Sequence, residues 1–388
     1  MEREGNSDPI PVDIILDILS RLSVESIARF GLASKFCASI HTSQDFTELF
    51  LTRSLTSEPR LLFAVKNSNE WRFYTSPHLQ NPDKNNSLVV SADFHMKLRG
   101  DIGQEICGPV SGLLYFPNMK RGEVPAICNP STGQYTRLPQ LKRKRDSRTL
   151  LGYDPIGKRY KASTLRNSLY GASNDEEGQQ ILTLGTKNVS WRQMYCPEKH
   201  YPIGEGVCIN GVLYYIAGQG KGQKIACFDV RSEKLWFLKT DAIIKKLLVS
   251  SSRTKLINYK GKLGVMSWCW YTYDDEYDEM PSCELYLRLW TLEDIDQQKQ
   301  EWLEHRHRFP VDIVVKGGVS MVGVTTTGEI ILSSEYTSKA LFVFYCNLGR
   351  GTLERVSVKG FEAFKNPTRV YTFVDYVEDH KFINRDSS

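Results

Sequence analysis

Apolar residues along the chain change their spacing once, near residue 57. Before that point they recur with a helical period. On a wheel of about 100° per residue, Ile14, Ile15, Ile18, Leu19 and Leu22 fall within roughly 140°, wider than the roughly 100° stripe with which a surface helix meets a single core. The pattern predicts a helix that packs against two partners at once. Pro11 suits its first turn, where the missing N–H is not needed. Ser23 is placed to cap a second helix carrying Ile27, Phe30 and Leu32, and a third holds Phe36 and Ile40. Asp45-Phe46-Thr47-Glu48 has capping-box spacing and opens a further helical run ending at Ser54. A module of about 40 residues is near the limit of what one small core stabilises, so part of its apolar surface is expected to be covered by another protein.

Beyond residue 57 the apolar runs are short and separated by Gly, Pro, Asn and Asp, the pattern of strands and turns. Pro59 to Val65 reads as a buried strand and Trp71 to Tyr74 as its alternating partner, followed by a polar loop over Ser76 to Ser87. Four segments repeat one device: Gly112, Gly211, Gly261 and Gly328 each precede an apolar strand. In three of them a second apolar strand ending in a turn residue (Asn129, Asp229 or Asn347) follows 17 to 19 positions later, and the Gly261 copy breaks the spacing. The step from Gly211 to Gly261 is 50 residues and that from Gly112 to Gly211 is about twice as long, a period that points to propeller blades of the kelch kind. Blades bury both faces of their sheets, which accounts for continuous apolar runs; a β-sandwich is the alternative. The expected organisation is α+β multidomain: a disordered N-terminus over 1–8, a small three-helix module over 9–44, a linker helix over 45–56, a mainly antiparallel all-β domain over 57–380, and a disordered tail over 381–388.

Composition narrows the function classes. The 388 residues carry 50 basic and 45 acidic side chains, and a net charge of +5 is too small to demand nucleic acid or an anionic membrane as partner. No run of about 18 apolar residues occurs, and Met1 to Pro9 is polar, so neither a membrane span nor a secretory signal is expected. Nine scattered cysteines without a C-x-x-C pattern suit reduced thiols in the cytoplasm or nucleus.

The order of residues from Ile10 to Leu22, Ile10-Pro11-Val12-Asp13-Ile14-Ile15-Leu16-Asp17-Ile18-Leu19-Ser20-Arg21-Leu22, resembles the opening of an F-box, and Ser26 to Phe30, Ala33 to Lys35 and Ala38 to Ile40 resemble its continuation in plant proteins. Ser23 stands where Pro is usual, Glu25 where Lys is common, Gly31-Leu32 where Arg-Cys is common, and Cys37 where a Trp normally fills the third helix. The β domain is similar to the type 3 F-box-associated interaction domain. That similarity rests on Arg60-Leu61-Leu62-Phe63, Gly108 to Leu113, Cys128 to Gly133, Leu151 to Pro155, Cys208 to Tyr215, Phe228 to Glu233 and Leu289 to Asp294, in the family's order. The resemblance implies a substrate-recognition subunit of a Skp-cullin-F-box ubiquitin ligase, with Pro11, Ile14, Ile15, Ile18, Leu19 and Leu22 on a Skp-type adaptor, a cullin beyond it, and an unknown protein target on the β domain. Neither nucleic acid nor membrane is an expected partner, and no cofactor is implied. The alternatives are a protein that sequesters a partner without a ligase, and a propeller enzyme acting on a small molecule or glycan.

Candidate chemistry is sparse. Cys37-x-x-x-His41 and Cys196-x-x-x-His200 lack the second pair of a structural zinc site, and His305 and His307, on one face of a strand, lack a carboxylate cluster and read as solvated. No phosphate-cradling loop or nucleophile elbow is present, so no catalytic or metal residue is assigned. The basic run Lys142 to Arg145 reads as a solvated loop, with nuclear import as its functional alternative. The acidic run Asp274 to Glu279 follows an aromatic strand and forms a predicted recognition loop, for which Trp270, Tyr271, Tyr273, Asp275 and Glu276 are the candidate substrate-binding residues.

Overall fold

The structure, a computed structural model, describes residues 10–379 except 23, 42, 57, 68–69, 79–87, 100–101, 118–123, 141–146, 167–178, 187–188, 197, 220–221, 241, 250–252, 274–281, 294–299, 312–317, 338–340 and 363–365. Four helices come first: α1 Val12–Leu19, α2 Val24–Gly31, α3 Lys35–His41 and α4 Gln44–Thr56. They share one core of Leu19, Val24, Ile27, Ile40, Phe46 and Phe50, so the helix read as a linker supplies two of its largest side chains to the same bundle. Its cap is Ser43 rather than Asp45, with the Phe46 amide donating to Ser43 Oγ at 3.2 Å and the Thr47 amide to Ser43 O at 3.2 Å. Ser23, the expected cap of α2, and the terminal segments 1–8 and 381–388 lie outside the described residues.

Six sheets follow, one per blade of a β-propeller, which excludes the sandwich. From the inner strand outward, the first blade is Cys107–Val110, Leu113–Phe116, Ala126–Cys128 and Tyr135–Arg137, and the second is Ser147–Asp154, Arg159–Arg166, Gln180–Thr183 and Arg192–Gln193. The third is Tyr201–Ile209, Val212–Gln219, Gly222–Asp229 and Leu235–Phe237, and the fourth Thr254–Tyr259, Lys262–Tyr273, Ser282–Leu292 and Trp302–Val311. The fifth is Val319–Val324, Ile330–Ser334, Leu341–Asn347 and Thr352–Lys359, with Leu88–Ser91 added in parallel at its outer edge. The sixth closes the ring: the C-terminal strand Thr368–Tyr376 pairs antiparallel with Arg60–Asn67, followed by Glu70–Pro77 and Asp93–Arg99, and on its other side carries the two-residue strand Tyr336–Thr337, with Tyr336 opposite Arg369. Helix α5, Ala242–Val249, lies between the third and fourth blades and buries Ile244 and Leu248.

Each interface between neighbouring blades has its own apolar core. Residues of blades one and two, two and three, three and four, four and five, five and six, and six and one form six separate clusters. That is why the second strands read as unbroken apolar runs: Ile330–Ser334 and Leu113–Phe116 are buried at every position.

The glycine echo has a geometric cause. Ser111-Gly112, Asn210-Gly211 and Lys260-Gly261 have positive φ at both positions (44° and 82°, 49° and 83°, 52° and 82°), the two-residue turn whose twist suits a tight hairpin between inner and second strand. The third-to-fourth turns repeat too: Asn129 Oδ1 accepts from the Ser131 amide at 2.8 Å, Asp229 Oδ1 from Ser232 at 2.6 Å, and Asn347 Oδ1 from Arg350 at 3.0 Å.

These turns define one face of the propeller. Gly211 packs on Pro155 of the preceding blade's turn and Gly328 on Lys260, while the Thr326 amide donates to Asp375 Oδ2 at 2.7 Å. The helical module stands on this face. Glu48 of α4 pairs with Lys158, and a cleft of about 760 Å³ runs between Ser20, Leu22 and Arg53 on the helices and Arg60, Tyr376 and Glu378 on the closing blade. The ends of the second strands and the starts of the third and inner strands therefore lie toward the opposite face.

Candidate functional site

The helical module leaves much of its apolar surface unburied. Of the six residues expected on the adaptor, Pro11, Ile14, Ile18 and Leu22 are exposed, Ile18 at 50%, as are the neighbouring Ile10 and Val12, while Leu22 also borders the cleft toward the propeller. Leu19 is 3% exposed and Ile15 is half-buried against the helical core, so these two face inward and hold the stripe in place. The wide apolar arc of the sequence is thus two faces of α1. Leu32, expected on the second helix, lies just beyond its end at 88% exposure, and Phe36, on α3 as expected, is 52% exposed, so both add apolar surface. Arg53 of α4 locks the register of α1: its Nη1 donates to the Asp17 carbonyl at 2.9 Å and its guanidinium pairs with the Asp17 carboxylate, which also receives Arg21 Nη2 at 3.1 Å. Desolvation acts to raise the Asp17 pKa, but Arg53 and Arg21 outweigh it and hold the carboxyl below its usual range.

The aromatic group expected on the propeller divides. Trp270 is half-buried and meets Phe344 edge-on, 5.5 Å between centroids, so it packs into the interface of the fourth and fifth blades. Tyr271 points outward, 6.5 Å from Tyr286, over which the Arg308 guanidinium lies at 5.5 Å. Tyr273 ends its strand opposite Ser282, and Asp275 and Glu276 lie outside the described residues. The strand ends Tyr273 and Ser282 lie toward the face opposite the helices.

A polar cluster that sequence reasoning missed lines the axis of the ring. Lys255 Nζ of the fourth blade meets Glu205 Oε2 of the third at 3.2 Å and donates to the carbonyls of Met321 and Val322 in the fifth, each at 3.3 Å. Arg148 of the second blade reaches Glu105, just ahead of the first, at 3.7 Å. In the sixth, the Arg369 guanidinium lies 4.7 Å over the ring of Tyr371, whose hydroxyl donates to Gln104 O at 3.4 Å. Burial acts to raise Glu205, but Lys255, then Arg148 and Arg369, hold it below its usual value. A backbone device aims this side chain: the register of Tyr201–Ile209 shifts between Ile203 and Val207, and Glu205 stands on that bulge between Gly204 and Gly206. Glycine on both sides of a charge inside a strand pattern was the only local signal.

Elsewhere the chemistry is quiet. Cys196 Sγ lies 3.5 Å from His200 Nδ1 and His200 Nε2 is 2.6 Å from the Tyr215 hydroxyl, but no third ligand joins them, and no group of three metal-ligating side chains occurs among the described residues. Burial raises the thiols of Cys107, Cys128, Cys227 and Cys346, the reverse of what a nucleophilic thiolate requires. His305 and His307 are half-buried, and His307 stacks on Phe309 at 6.1 Å, so the solvated reading gives way to a packed one. The side chain of His41 and the run Lys142 to Arg145 lie outside the described residues, and no described helix is long and apolar enough to cross a membrane.

Known proteins are similar to the chain over nearly its whole length. Residues 60–377 match the family described as the F-box associated beta propeller domain. The Arabidopsis thaliana protein At5g52620, which carries the F-box name, is 57% identical over 390 residues, covering 99% of this chain and 100% of that one. The F-box proteins At3g57590 and At1g67130 of Arabidopsis thaliana are 43% and 41% identical, covering 96% and 100% of this chain and 91% and 82% of their own. With four N-terminal helices ahead of a six-bladed ring and relatives matched over nearly their whole length, the chain belongs to the plant F-box proteins that carry an F-box associated β-propeller domain.

Proposed function

We propose that this chain is the substrate-recognition subunit of a Skp-cullin-F-box ubiquitin ligase and performs no chemistry itself. The stripe of Pro11, Ile14, Ile18 and Leu22, extended by Leu32 and Phe36, docks on a Skp-type adaptor and through it on a cullin. The propeller holds a target protein on its opposite face. The observation that carries this reading is the cluster of unburied aliphatic and aromatic side chains on a small bundle whose own core is already complete. Burying a Leu, Ile or Phe fully contributes about 1.5–3 kcal/mol, so several half-exposed ones supply a usable interface after ordering costs. The ligase gains through proximity, since tethering raises the local concentration of target at the ubiquitin carrier. The unpaired cysteines suit work in a reducing compartment, cytoplasm or nucleus.

Calorimetry of the full chain with a Skp-type adaptor tests the proposal, beside an Ile18→Asp variant that puts a charge into the stripe. Tight binding by the parent and a loss of at least about thirtyfold in the variant, roughly 2 kcal/mol, is expected. Absence of binding by both folded proteins overturns the ligase reading and leaves sequestration of a partner.

A further inference from the structure

The axial cluster has an arrangement that neither packing nor the docking of an adaptor requires. Arg148, Lys255 and Arg369 are each the second residue of an inner strand, and Glu105 precedes the first. Inner strands run toward the helix-bearing face, so these groups ring the end of the channel that opens on the opposite face. Their side chains contact solvent: Glu205 is 39% exposed, Glu105 36%, Lys255 31% and Arg148 19%. Glu205 pairs with Lys255 and Glu105 with Arg148, which leaves Arg369 as the cation of this cluster that forms no ion pair among the described residues. Arg369 acts on Glu205 only at a distance, and its guanidinium lies 4.7 Å over the Tyr371 ring with its side chain exposed.

We propose that this channel mouth is the recognition pocket for an oxyanion, a carboxylate or phosphate borne by a side chain of the recruited protein, with Arg369 as its principal contact and Arg148 and Lys255 completing the cation wall. The assignment to a protein side chain rests on the recruitment reading above; the pocket itself does not. A guanidinium fork matches the planar carboxylate and the phosphate edge with two parallel hydrogen bonds, and the surrounding β-walls lower the dielectric around it. Nucleic acid, which is held by a run of phosphate contacts, would require a wider basic surface. Glu205 and Glu105 set the affinity, because a ligand oxyanion competes with them for the same cations.

The test is a calorimetric titration of the full chain with inorganic phosphate at fixed ionic strength, in chloride buffer, with N-acetyl phosphoserine amide and N-acetyl glutamate amide as separate arms that tell phosphate from carboxylate. Saturable binding is expected. Arg369→Gln weakens it about tenfold or more, while Arg306→Gln, on the outer strand of the fourth blade, leaves it unchanged. Glu205→Gln, which frees Lys255, tightens it severalfold, a sign that a merely structural role for the cluster would not produce. Thermal melts of each variant confirm a folded ring. Lack of saturation in all three arms, or equal losses from Arg369→Gln and Arg306→Gln, overturns the pocket. Because Ile18→Asp leaves phosphate binding intact in this account, loss of adaptor binding and loss of anion binding are read separately.

Discussion

The helical module and the propeller solve the problem of apolar surface in opposite ways. In the propeller each apolar second strand is covered by a neighbouring blade, and exposed large hydrophobics such as Val89, Ile156, Tyr195 and Leu303 belong to different blades or edges. In the helical module Ile10, Val12, Ile14, Ile18, Leu22, Leu32 and Phe36 are all exposed within 27 consecutive positions. A closed ring has no unpartnered face, whereas a four-helix unit of this size cannot wrap its own surface. The lesson is that the small module is left with apolar surface for a partner to cover, while the large one presents polar faces and an axis, which under the proposals above serve recognition. Stability and binding should therefore separate when the two regions are mutated.

The largest expected effect breaks the ring. Phe344, fully buried between the fourth and fifth blades, when replaced by Ala should lose about 3–5 kcal/mol in denaturant titration, with adaptor affinity of the remaining folded protein unchanged. A smaller loss, about 1–2 kcal/mol, is expected for Gly211→Ala, because φ of 83° disfavours a side chain and Pro155 occupies the space a methyl would take. A loss below a few tenths would show that this turn does not hold the hairpin.

Between the closing blade and the helix-bearing face lies a pair with opposing pH slopes. Burial raises Asp375 from 3.8 to about 6 and lowers His78 from 6.5 to about 4, with His78 Nε2 accepting the Asp375 amide at 3.4 Å. The folded acid binds the extra proton between its unfolded and folded pKa values, so its contribution to stability falls as pH rises from roughly 4 to 6. The unfolded histidine binds the extra proton between roughly pH 4 and 6.5, so its contribution falls as pH drops. In the parent these nearly cancel. Asp375→Asn keeps an acceptor for the Thr326 amide and tolerates the φ of 50°, so it should gain about 1 kcal/mol at pH 7 and lose stability more steeply than the parent on acidification to pH 4. Parallel pH profiles of the two proteins would contradict this. The smallest stability effect belongs to the helices: Leu32→Ser should change the melting free energy by less than about 0.5 kcal/mol yet weaken adaptor binding several-fold.

What could be read from the sequence follows from which interactions are local. The turns at Gly112, Gly211 and Gly261 announce themselves because a positive φ at a fixed offset admits few residues, and Asn129, Asp229 and Asn347 because their side chains bond backbone two or three residues on. The second blade escaped the pattern, since its first turn is the longer Pro155-Ile156-Gly157-Lys158, and so did the sixth, which joins strands from both ends of the chain. Periodicity found both faces of α1 but could not separate Ile18 from Leu19, a division made by Ile27, Phe46 and Phe50 packing behind one of them. The axial cluster was illegible: its charges come one or two to a blade, from Glu105 to Arg369, and only ring closure makes them neighbours. Trp270 and Tyr271, adjacent in sequence, fall on opposite sides of one strand and so cannot share the role first assigned to them.

The central claim is a division of labour between two opposite faces, and side-chain oxidative footprinting of the full chain with and without a Skp-type adaptor tests it most directly. The account predicts strong protection of Ile14, Ile18, Leu22, Leu32 and Phe36 on binding, with Tyr271 and Tyr371 unchanged. Protection of the propeller residues with the helical ones left reactive would contradict it.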